Sequence, residues 1–160
     1  MLSSGAVVLT GLTRYDQYVN ITVDMAGPVA EMIAVLNHPR VNLLSRRPIE
    51  MKDPSGQVAG RLTVLALPLE NDLTFDDVRL SAHGKATALN LGGVAAGRDL
   101  TDGTLTFDAT NDNLKLVGTA TLAGVPSQLQ VDMDFTPGPP NQVIQKIGVS
   151  GSVTAAQLAG

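Results

Sequence analysis

The sequence contains no cysteine and no tryptophan, and aromatic residues make up only 3% of it. Without cysteine there are no disulfides, no thiolate nucleophile and no thiolate metal site. The scarcity of rings counts against carbohydrate sites and against single-stranded nucleic-acid platforms, both of which rely on stacking. Positive charge is also in short supply. Eleven Lys and Arg stand against fifteen Asp and Glu, for a net charge of −4, which disfavours a phosphate-backbone partner and excludes nucleic acid from the expected partners. No basic-then-apolar leader is present, and no apolar run of about 18 residues is long enough to cross a bilayer as a helix. The nucleophile elbow, the P-loop, the dinucleotide fingerprint and the metal-type histidine cluster are absent as well. No enzyme activity, metal or cofactor is expected.

What the 160 residues do contain is aliphatic alternation. The clearest stretch runs from Leu114 to Phe135. Leu114, Leu116, Gly118, Ala120 and Leu122 take every second position on one arm, and Leu129, Val131, Met133 and Phe135 do so on the other. Side chains alternate faces along a strand, so each arm has one apolar face and one mostly polar face. Gly124-Val125-Pro126-Ser127 reads as the turn between them, giving a β-hairpin.

Further strands are expected over residues 5–12 and 15–25, where Val19, Ile21, Val23 and Met25 share a face. Another spans residues 57–69, with Val58, Leu62 and Val64 on one face, Leu65 and Leu67 on the other, and Pro68 at its end. Residues 74–91 alternate through Val78, Leu80, Ala82, Ala86 and Ala88 before Gly92-Gly93 and Gly97 break the pattern. Leu105 and Phe107 mark a strand over residues 100–109, Asn111-Asp112-Asn113 a turn, and residues 143–153 a last strand. Pro28 followed by Val29, Met32, Ile33 and Leu36 at helical spacing predicts one short amphipathic helix over residues 28–37. The fold expected is therefore mostly β with a minor helical part, mainly antiparallel, in a single domain over residues 1–160. The ends read as cut from a longer chain, with Thr154 to Leu158 as the first turn of a further helix.

The polar candidates have plain structural readings. Arg40, Arg46, Arg47 and Lys52 lie in an irregular stretch near Glu50 and Asp53, as a solvated loop or a site for an anionic head group or a protein partner. Asp108, Asn111, Asp112 and Asn113 resemble a calcium loop superficially, but their spacing fits no EF-hand and suits a hairpin turn. Asp76 and Asp77, adjacent on an extended chain, would point to opposite faces, which argues against a carboxylate pair for hydrolysis. His38 and His83 lack the partners a metal would need, and Asn20-Ile21-Thr22 is a sequon only in a eukaryotic secretory pathway.

Several features in order resemble a known family. They are the sided strand before Gly27-Pro28-Val29-Ala30, the Gly60 to Pro68-Leu69 segment, and Gly97 followed by Leu100-Thr101-Asp102-Gly103. Leu116-Val117-Gly118-Thr119-Ala120, Gly124-Val125-Pro126 and Asp134-Phe135 complete the series. This order is similar to that of the YhdP-type branch of the AsmA-like proteins, over roughly residues 15–160. The resemblance implies a curved, taco-like sheet, a groove or half-barrel whose apolar lining carries phospholipid between the inner and outer bacterial membranes. It also implies a periplasmic chain anchored in the inner membrane by parts lying elsewhere. On that basis the candidate lipid-facing residues are Leu105, Phe107, Leu114, Leu116, Leu122, Leu129, Val131, Met133 and Phe135. Phospholipid acyl chains are the expected partner, and edge-to-edge pairing of two copies is expected of the isolated segment. The alternative is a structural or adhesive β-module with a closed core, whose loops over residues 40–52 and 92–102 contact other proteins.

Overall fold

The computed structural model describes residues 2–11, 17–36, 52–68, 78–95, 97–139 and 142–151. Among them the chain forms a single antiparallel sheet of eight strands in sequential order, with one helix. The strands are β1 (Leu2–Thr10), β2 (Tyr18–Pro28), β3 (Lys52–Pro68), β4 (Arg79–Ala95), β5 (Arg98–Thr110), β6 (Asn113–Leu122), β7 (Val125–Asp134) and β8 (Gln145–Gly151). Helix α1 (Val29–Leu36) interrupts the meander between β2 and β3. The sheet is not closed: β1 and β8 are its two edges. The expected architecture, mostly antiparallel β in a curved sheet with one short helix, is the observed one.

Several boundaries differ from the expected ones for local reasons. Pro28 ends β2 opposite Gln57 instead of opening the helix, which starts at Val29. β3 begins at Lys52, so Asp53-Pro54-Ser55-Gly56 is strand and not loop. The chain takes this run by adopting positive φ at Asp53 and Gly56, with two register shifts against β4. Gly92 and Gly93 fall within β4, and the turn comes at Gly97. The β6–β7 turn is Ala123-Gly124, both at positive φ (50° and 80°), the signature of a two-residue type I′ connection. Pro126 is accordingly a strand residue opposite Thr121. Its carbonyl faces Gly151 of β8, so its nitrogen lies on the same edge and no β6–β7 bond is lost.

Three single-residue bulges decide which side chains reach the apolar face. Ala66, Ala88 and Asp102 each have positive φ and sit where the register slips by one residue. The bulge at Ala66 returns Leu67 to the face of Val64, opposite Val19, and leaves Leu65 on the exposed side. The bulge at Ala88 replaces Ala88 by Leu89, which is buried opposite Gly103. Side-chain amides hold these irregular points. Asn20 accepts from the Ala66 N–H, and Asn90 both donates to the Ala88 carbonyl and accepts from the Asp102 N–H. Asn111 spans the open end of β4 in the same way, accepting from the Leu80 N–H and donating to the Val78 carbonyl, both at 2.6 Å. Its amide does the work of a missing strand residue.

The core lies at one end of the sheet. Val58, Ala86, Leu89, Leu100, Leu105, Ala120 and Leu129 form a buried cluster, and Val29 of α1 joins it. Met32 and Ile33 pack on it with Leu91, Val94, Phe107 and Leu122. The helix thus covers the lower part of the apolar face, using the residues whose spacing predicted it.

Candidate functional site

In an antiparallel ladder directly opposed residues share a face, so the register assigns every strand position to one of two surfaces. On the apolar surface four transverse rows follow one another. The first is Val58, Ala86, Leu105, Gly118, Leu129 and Val149. The second is Met25, Gly60, Gly84, Phe107, Leu116, Val131 and Ile147. The third is Gly5, Val23, Leu62, Ala82, Ala109, Leu114, Met133 and Gln145, and the fourth is Val7, Ile21, Val64 and Leu80.

Eight of the nine candidate lipid-facing residues lie on this apolar surface. Leu105, Leu129 and Met133 are buried, Leu105 at 4% exposure. Phe107, Leu114, Leu116, Leu122 and Val131 are half-buried. Phe135 lies one residue beyond β7, half-buried, its N–H donating to the Asp112 carbonyl. Val58, Ala86, Leu105 and Leu129 of the first row belong to the core that α1 joins, and Val149 at its β8 end is exposed, whereas most side chains of the second and third rows are half-buried and Met133 is buried. These two rows cross most of the sheet as a continuous apolar track.

The floor of the track is uneven, and its unevenness comes from glycine. Gly60 and Gly84 face each other across β3 and β4, and the Phe107 ring leans over both. A β-carbon at Gly84 would fall 2.7 Å from the ring tip, and one at Gly60 would fall 3.1 Å from it. The ring occupies the space the two glycines leave, so glycine is required at both positions. Ala82 and Ala109 beside it keep the next row low.

The opposite surface carries the charge. One row reads Ser4, Asp24, Arg61, His83, Asp108, Lys115, Asp132 and Lys146 from edge to edge. Arg61 binds Asp24 through two nitrogens at 2.7 and 3.0 Å, and Ser4 donates to the same carboxylate at 2.6 Å. The hydrogen bond from Arg61 and then that from Ser4 hold the Asp24 carboxyl below its ordinary range. Opposed unlike charges repeat along β5 to β8. Sequence periodicity alone did not reveal this row, because its members belong to eight different strands.

Of the remaining candidates, those within the described residues do not converge. Lys52 is exposed at the start of β3, opposite Gly92, while Arg40, Arg46 and Arg47 lie outside the described residues, as do His38, Asp76 and Asp77. Asp108 lies in the charged row between His83 and Lys115. Asp112 and Asn113 donate backbone N–H bonds to the Thr110 hydroxyl, and the Asn111 amide is engaged by β4. Among the described residues no group of three or more His, Cys, Asp or Glu is placed to hold a metal. A shallow open cleft between Asp102, Thr119, Ala120, Pro126, Gln128 and Gly151 contains no such set. Comparison with protein-family models, with curated proteins and with solved structures finds no match.

Proposed function

We propose that the apolar track is a surface for the acyl chains of phospholipid, and that the chain is a non-enzymatic lipid-handling segment of an AsmA-like, YhdP-type envelope protein. The observation that carries this reading is the pair of apolar rows that cross most of the sheet, with Phe107, Leu116 and Val131 of one and Ala109 and Leu114 of the other half-buried. An acyl chain gains about 0.8 kcal/mol for each CH₂ taken from water and asks for no directed hydrogen bond. A broad aliphatic surface without a convergent polar set suits that ligand. The reading places the full-length protein in the periplasm, anchored in the inner membrane and moving phospholipid toward the outer membrane.

The test is native mass spectrometry and lipid extraction of protein purified without detergent, with photocrosslinking from positions 116 and 131. Bound phospholipid and crosslinks to acyl chains at both positions are expected. A lipid-free protein that yields no crosslink from either position sinks the reading.

The competing reading is a structural or adhesive module. It draws support from a separate observation, the strongly exposed apolar side chains on the two edge strands.

A further inference from the structure

We propose that β1 pairs antiparallel with β1 of a second copy of the chain, about a two-fold axis through Val7. The inference rests on β1 as an edge of the sheet that the described residues form, and does not depend on what the apolar track binds. An edge strand presents unpaired backbone N–H and C=O groups, and proteins ordinarily guard it with charge, proline or a bulge. β1 has no charged residue and no proline. Its only irregularity is the register shift between Leu2 and Ser4, which leaves Ser4 to Thr10 regularly paired with β2 on the inner side. Val7, Val8 and Leu9 in succession are 65%, 53% and 50% exposed. The other edge is better guarded, since β8 carries Lys146 and is weakened by Gly148 and Gly151.

The regular stretch Ser4 to Thr10 has Val7 at its midpoint. Self-pairing about Val7 therefore uses the whole stretch, setting Val7 against itself, Ala6 against Val8, Gly5 against Leu9 and Ser4 against Thr10. No like charges meet. A two-fold axis normal to the sheet also leaves both apolar faces on the same side, so the fourth row continues from Val7 of one copy into Val7 of the other. A single strand pair buries less than a standard interface, so the dimer should dissociate on dilution.

The absence of cysteine makes the register directly measurable. Three variants, Val7→Cys, Leu9→Cys and Val149→Cys, each introduce a single thiol on an exposed strand residue. In the proposed pairing the thiols of Val7→Cys stand about 5 Å apart between α-carbons, within reach of a disulfide. Those of Leu9→Cys are four residues apart along the strands, roughly 13 Å. Mild oxidation, or a short bifunctional thiol reagent, should yield covalent dimer from Val7→Cys at least about tenfold faster than from the other two, because paired thiols see a millimolar effective concentration. Sedimentation of the unaltered chain should give a concentration-dependent dimer, and Ala6→Lys with Val8→Lys should raise its Kd about tenfold or more by opposing like charges twice. A monomer at every concentration overturns the proposal. So does a covalent dimer that forms equally from all three variants, or fastest from Leu9→Cys or Val149→Cys.

Discussion

Asp24 occupies the most strongly perturbed point on the charged face, where a carboxylate accepts from both Arg61 and Ser4. These bonds lower its pKa from 3.8 to about 2. A carboxyl whose folded pKa is depressed contributes stability that is fully present above its unfolded pKa and disappears as the pH falls through the folded one. The window is therefore bounded by 3.8 above and about 2 below. Urea midpoints should fall with acidification across this window, and Asp24→Asn should flatten that slope. The effect should be modest and weaken with added salt, because the pair is solvated. Parallel curves for the two proteins would remove Asp24 from the acid response. Alternation in the sequence already placed Asp24 opposite Val23 and Met25 in facing. It gave no sign of Arg61 as partner, because cross-strand neighbours are set by register and not by spacing along the chain.

The β6–β7 hairpin marks the limit of local reading at the level of elements. Its arms were plain from alternation, yet its turn lies at Ala123-Gly124, just ahead of the Gly124 to Ser127 run that the proline suggested. Both turn residues need positive φ, and alanine does not advertise that need. Ala66 and Ala88 conceal their bulges for the same reason, and so alternation put Leu67 on the wrong face, beside Leu65, and gave no face for Leu89. The strained alanine gives a direct prediction. Left-handed backbone costs an alanine about 1 kcal/mol, whereas asparagine tolerates it and Asn-Gly is the favoured pair for this turn. Ala123→Asn should raise stability by about 0.5–1 kcal/mol, read as a higher denaturant midpoint at unchanged slope. An unchanged or lowered midpoint would mean that the turn does not hold this conformation in solution.

The whole sheet has two unlike surfaces: one lined by charge, the other apolar, with α1 packed on part of it. That division was legible in the sequence strand by strand. Its continuity across the sheet was not, since it arises only when eight registers align. If the second and third rows hold acyl chains, obstructing them should remove lipid, whereas the same change on the other surface should not. Ala109 and Val117 provide the matched pair. Ala109 lies in the third row between Ala82 and Leu114, where a small side chain keeps the track open. Val117 lies on the opposite surface at 52% exposure, between Thr106 and Gln130. Ala109→Trp should lower co-purified phospholipid several-fold by native mass spectrometry, with the circular dichroism of a folded sheet retained. Val117→Trp should leave the lipid unchanged. An equal loss from both would assign the effect to stability, and no loss from either would mean that lipid, if bound, lies elsewhere than on these rows.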